Sequence, residues 1–121
     1  MESERIDVLV KRLSDLVSIP TINPPGEHYE EAAGLLADWL REVGMRTELI
    51  MIPEKWLDKH YPYSPAHHGY PRVIVYAYVG NKERALHFNG HYDVVPPGSG
   101  WRVTDPFRPV VRDGRMYGRG T

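Results

Sequence analysis

The chain has 121 residues, a formal net charge of −1 and no cysteine, with 41% hydrophobic and 26% charged residues. That length allows one modest domain, and the composition is that of a globular chain rather than a disordered or fibrous one. Near-neutral charge gives no footprint for nucleic acid or an anionic membrane, and any metal must be held by His and carboxylate. No apolar run approaches the roughly 20 residues that span a bilayer. Met1-Glu2-Ser3-Glu4 is too acidic for a secretory leader. A soluble cytoplasmic protein is the expectation.

Ile6, Leu9, Val10, Leu13, Leu16 and Val17 recur at helical spacing and predict an amphipathic helix from Ser3 to Ser18, ended by Pro20. Thr21-Ile22-Asn23-Pro24-Pro25-Gly26 reads as a stiff turn. A second helix is predicted from Glu27 to Val43, with Tyr29, Ala33, Leu36, Trp39 and Leu40 on one face and Gly44 as the residue just past its end.

Strands follow. Arg46–Ile52 is weakly patterned. Lys55–Pro71, rich in Pro, Tyr and His, reads as a long loop. Arg72–Val79 is apolar on both faces and is predicted to be central in a sheet. Gly80–Arg84 is a polar turn, and Ala85–Gly90 is the next strand, leading into His91. Val110-Val111-Arg112 and Arg115-Met116-Tyr117 flank Asp113-Gly114, a strong hairpin signal. Two helices followed by strands predict an α/β layer fold in one unit.

The chemistry centres on His91-Tyr92-Asp93. On an extended chain, residues i and i+2 point to the same side, so His91 and Asp93 can act together. A metal-bound imidazole commonly donates its second ring N–H to a carboxylate, which fixes the tautomer. Taken alone, His-x-Asp is a weak signal that more often marks a surface His beside a hydrogen-bonding Asp. His60, His67 and His68, with Asp58, imitate a metal cluster but read as an exposed loop. His87 lies four residues before His91, about 13 Å away if the segment is a strand, too far to share an ion. His28 reads as solvated, Arg115 and Arg119 as hairpin pairing in preference to binding a substrate carboxylate, and Trp101 and Asp105-Pro106-Phe107 as packing and turn elements.

The wider context is more specific. Asn89-Gly90-His91-Tyr92-Asp93-Val94-Val95-Pro96 is followed by Trp101, Asp105-Pro106-Phe107 and Asp113-Gly114-Arg115-Met116-Tyr117-Gly118-Arg119-Gly120-Thr121, and preceded by Ile19-Pro20 and Asn23-Pro24-Pro25-Gly26. This ordered set resembles the zinc metallopeptidase and deacylase family that includes acetylornithine deacetylase, succinyl-diaminopimelate desuccinylase, aminoacylase and glutamate carboxypeptidase.

The resemblance implies the N-terminal portion of a three-layer α/β/α catalytic domain. It implies hydrolysis of N-acyl amino acids or short peptides by metal-activated water, with two zinc ions, or cobalt, as cofactor. His91 would be the first zinc ligand and Asp93 the carboxylate that orients it. On this reading, residues 1–121 are a partial catalytic domain cut just before the bridging Asp, without the other ligands and without the lid or dimerisation domain. A lone imidazole binds zinc weakly. The expectation is therefore a chain that alone neither holds a stoichiometric metal nor hydrolyses amides. The alternative is a non-catalytic α/β subunit or remnant that needs a partner chain. A cut sheet leaves an open edge, which predicts a homo-oligomer.

Overall fold

The computed structural model describes residues 1–61, 67–81 and 83–121. The Pro- and Tyr-containing stretch 62–66 of the expected loop, and Lys82 of the expected polar turn, lie outside the described residues.

Helix α1 runs Glu2–Val17 and α2 Tyr29–Glu42, each close to its periodicity-based prediction. Val43 closes α2, and Gly44, at φ +84°, takes the left-handed conformation that stops the helix and returns its N–H to the Arg41 carbonyl. Tyr29, Ala32, Ala33 and Ala37 are the buried stripe of α2. The small alanines let this helix lie close on the sheet, and Tyr29 and Ala33 meet Val73 in the core. On α1 only Val17 is buried, while Ile6, Leu9 and Leu13 of the predicted apolar stripe are exposed. Arg12 ties α1 to α2, reaching Glu42 at 3.1 Å and lying over the half-buried Trp39 ring at 5.5 Å.

Strand β1 (Arg46–Ile52) and strand β2 (Arg72–Tyr78) pair antiparallel, with Leu49 opposite Val75 and Met51 opposite Val73. That register puts Val73 and Val75 on the face that α2 covers. Ile50, Ile74 and Tyr76 project from the other face and are exposed at 41%, 49% and 40%. Among the described residues β2 has one neighbour rather than two, so it is an edge strand and not the central strand its two apolar faces predicted. Strand β3 (Val110–Arg112) and strand β4 (Arg115–Tyr117) form the expected hairpin, its turn carried by Asp113 at φ 51° and Gly114 at φ 70°.

Two further predictions are corrected. Glu54–His60 is a short helix, α3, within the segment read as loop. Pro53 supplies the extended residue before it, and buried Leu57 holds it to the body. Residues 85–90 run without regular pairing, Leu86 and Phe88 being 82% and 84% exposed. A cleft of about 700 Å³ separates this segment from β2 where a ladder was expected, bordered by Leu36 and Leu40 of α2. The described residues thus form a mixed helix-and-strand structure, with helix α2 layered on a two-stranded sheet.

Candidate functional site

The turn after α1 holds the His91–Asp93 segment. Thr21 and Ile22 run parallel to Tyr92–Val94: the Val94 N–H donates to the Thr21 carbonyl at 2.9 Å and the Asn23 N–H to the Val94 carbonyl at 2.8 Å. Buried Thr21 also donates its hydroxyl to the Tyr92 carbonyl at 2.6 Å. Tyr92 points inward. Its hydroxyl donates to the Val73 carbonyl at 2.5 Å, and its ring meets Tyr29 edge-on, with centroids 5.3 Å apart. Such an aromatic pair contributes about 0.5–1.5 kcal/mol beyond its buried area.

Arg72 completes this anchor. Its guanidinium lies 5.0 Å from the Tyr29 ring centre and donates to the Pro25 carbonyl at 2.7 Å. Gly26, at φ +109°, leaves room for it, because a Cβ there would come within 1.8 Å of Arg72 Nη1. Burial, then the Asp93 charge, pushes the Tyr92 phenol up to about 12, with Arg72 pulling the other way. The same influences raise Tyr29 well above its ordinary value. Both phenols therefore stay protonated, and Tyr92 remains a donor.

With Tyr92 turned in, its neighbours on the chain turn out. His91 Nδ1 lies 2.9 Å from Asp93 Oδ1, so the imidazole and carboxylate face each other as the i, i+2 spacing predicts. The other Asp93 oxygen accepts from Asn23 Nδ2 at 3.1 Å. Asp93 is half-buried, whereas the His91 side chain is 84% exposed. With Nδ1 engaged, Nε2 is the ring atom presented outward. This geometry fits an imidazole ligand and its orienting carboxylate, though among the described residues His91 belongs to no group of three that could surround one ion.

The C-terminal motif packs beside this segment. A Cβ at Gly118 would come within 2.8 Å of Val17 Cγ1, and one at Gly120 within 3.0 Å of Val94 Cγ1. Arg119 donates to the Pro97 carbonyl at 2.9 Å and lies over the Trp101 ring at 5.1 Å. Its partners are thus Pro97 and Trp101 rather than the hairpin pairing expected for it. Trp101 donates to the same Pro97 carbonyl, and Asp105–Arg108 forms a turn closed by an Arg108 N–H bond to the Asp105 carbonyl.

The remaining histidines divide. His28 stands at the surface just before α2, its ring beside Glu31 and making no capping bond. His60 is on α3, stacked on Trp56 and bonded to that residue's carbonyl. His67 is not the exposed loop residue expected; it is 2% exposed and gathered with Asp58 and His68. Sequence reasoning also passed over Thr21 and Asn23 as positioning residues. Asn23 stood inside the Asn-Pro-Pro-Gly signature, which was the available signal.

Comparison with known proteins agrees with the motifs. Residues 87–121 match the model of Peptidase family M20/M25/M40. That segment carries the sequence of this family, and the resemblance seen in the motifs holds. Over nearly its whole length the chain is similar to named relatives. It is 36% identical over 116 residues to succinyl-diaminopimelate desuccinylase of Anaplasma marginale, covering 96% of this chain and 26% of that protein. It is 30% identical over 122 residues to acetylornithine deacetylase of Pasteurella multocida, covering 98% of this chain and 28% of that protein. A shorter match, 49% over 61 residues, joins half of the chain to 15% of the desuccinylase of Gluconobacter oxydans. The chain therefore spans about a quarter of the length of the relatives that it matches end to end. No solved structure matches it.

Proposed function

We propose that this chain is the N-terminal part of a zinc-dependent hydrolase of N-acyl amino acids, of the succinyl-diaminopimelate desuccinylase or acetylornithine deacetylase type, or of short peptides. His91 is its first metal ligand and Asp93 the carboxylate that orients it. The observation carrying this reading is the 2.9 Å pairing of His91 Nδ1 with Asp93 Oδ1, which leaves Nε2 outward on a segment that matches a peptidase family. Asp93 holds the proton on Nδ1, Asn23 fixes the far carboxylate oxygen, and Thr21 and Tyr92 fix the backbone between them. Bound zinc supplies a Lewis acid for the amide carbonyl and lowers the pKa of water.

The three-layer arrangement, the cytoplasmic setting, a second metal ion and the remaining ligands belong to the same proposal. So does the inactivity of these 121 residues by themselves. The test is a zinc-loaded assay of the complete gene product on N-succinyl-diaminopimelate, N-acetylornithine and a dipeptide. His91→Ala is expected to abolish turnover, and Asp93→Asn to reduce metal affinity or activity about 10–100-fold. Undiminished turnover in His91→Ala would overturn the assignment.

A second reading is a non-catalytic α/β subunit whose site a partner chain completes. It is favoured by the absence, among the described residues, of further ligands around His91. Hydrolysis by the complete product acting alone decides against it. Self-association belongs to either reading, supported by the edge position of β2 among the described residues and by the exposed Ile50 and Ile74.

A further inference from the structure

Away from His91, helix α3 and the residues before β2 bring four titratable side chains together. Glu54 and Asp58 are four apart on α3 and so share a face. Asp58 Oδ1 lies 2.9 Å from His67 Nε2 and 3.0 Å from His68 Nε2. His68 Nδ1 lies 3.0 Å from Glu54 Oε1, whose other oxygen accepts the Gly69 N–H at 3.3 Å. His68 therefore faces a carboxylate from both ring nitrogens, and a neutral imidazole has only one N–H to offer. Two Nε2 atoms also converge on a single carboxylate oxygen. With one N–H, a neutral His68 turns a bare ring nitrogen toward one of its two carboxylates, a repulsion that a bound cation would remove.

The geometry favours a cation. One ligand atom from each of Asp58, His67 and His68 lies within 4.8 Å of the others. Two imidazoles and a carboxylate are a donor set suited to zinc, with three protein ligands and one open position. The two separations of 2.9 and 3.0 Å approach the ~3.3 Å edge of a tetrahedron with zinc–ligand bonds of ~2.0 Å. Glu54 occupies the place of the carboxylate that takes the Nδ1 proton of a ligating histidine and aims its Nε2 at the metal. His67 is buried, so much of its ordering entropy is already lost on folding. The two rings stack at 22° with centroids 4.6 Å apart, so closing on one ion requires the half-exposed His68 ring to rotate toward the fixed His67.

We propose that Asp58, His67 and His68 form a zinc-binding site separate from His91, with Glu54 as a positioning residue. This changes the expectation drawn from His91 alone, that the chain by itself holds no stoichiometric metal. The proposal is independent of the hydrolase reading, and the test separates them. The 121-residue chain is titrated with zinc chloride by calorimetry, with circular dichroism verifying the fold of each variant. One ion per chain is expected, with binding unchanged in His91→Ala. His68→Gln, at a half-exposed ring, and Asp58→Asn are each expected to weaken binding at least ~10-fold, and Glu54→Gln ~10–100-fold. Cobalt is expected to give a visible absorption band that His68→Gln removes and His91→Ala leaves. No stoichiometric binding by the parent chain, binding unaffected by His68→Gln, or binding lost in His91→Ala would each overturn the proposal.

Discussion

Residues 85–90 and 92–94 are neighbours in sequence and both part of one expected strand-and-motif run, yet the protein treats them oppositely. Tyr92–Val94 is held by four backbone or hydroxyl bonds to the turn after α1 and to β2, and Tyr92 is wedged against Tyr29. Ala85–Gly90 has Leu86 and Phe88 almost bare and a cleft where a β2 partner would be. His91 sits at the seam between them. Apolar residues at strand spacing did not order 85–90; side chains with specific long-range partners ordered 92–94. The pairing of His91 with Asp93 rests on the anchored half.

Removing the anchor gives the largest expected effect. Tyr29→Ala takes away a buried ring that touches both Tyr92 and Arg72, and is expected to cost about 3–5 kcal/mol in urea unfolding. A loss under ~1 kcal/mol would mean that the two halves are held alike. Alkaline pH acts on the same contact. Tyr92 titrates near 10 when unfolded and is raised to about 12 in the fold. A raised acid stabilises the fold fully below pH ~10 and loses that stability as pH rises through ~12. Unfolding free energy measured between these values is expected to fall, and Tyr92→Phe to flatten the slope; an unchanged slope would break the comparison.

Thr21→Ala leaves a half-buried carbonyl without its hydroxyl donor and is expected to cost ~1–2 kcal/mol, measured by urea or thermal unfolding. Smallest of all, Phe88→Ser in the unanchored half is expected to change stability by less than ~0.5 kcal/mol. By light scattering it should lower the share of any self-associated species. A destabilisation comparable with Thr21→Ala would show that 85–90 is packed after all.

Long periodic elements were legible in the sequence. The apolar spacing of α1 and α2, the Gly44 stop and the Asp113-Gly114 turn each encode their structure within a few residues. Helix α3 was not legible, because seven residues span only two turns and its single buried anchor, Leu57, offers no repeat. The same miss led the Asp58, His67 and His68 grouping, visible in the sequence, to be set aside as an exposed loop. Glu54 and Asp58 share a face only once the segment is helical, and His67 then folds back onto it. For β2, apolar residues on both faces predicted two covered faces and a flanking strand on each side, while the described residues supply one of each. At the site, His91 and Asp93 followed from backbone alternation. Their support by Thr21 and Asn23 joins residues 71 and 70 positions apart, and no local pattern carries such information.

That separation has a consequence in time. Contacts between residues so distant along the chain form slowly, since the intervening loop must close before the contact rewards it. As the polypeptide leaves the ribosome, α1, the Pro-Pro turn and α2 emerge long before Tyr92 arrives to meet them. A nascent chain halted short of Val94 has its helices and its receptive turn but nothing seated there. The outward presentation of His91 therefore follows the formation of α1, the Pro-Pro turn and α2 rather than accompanying it.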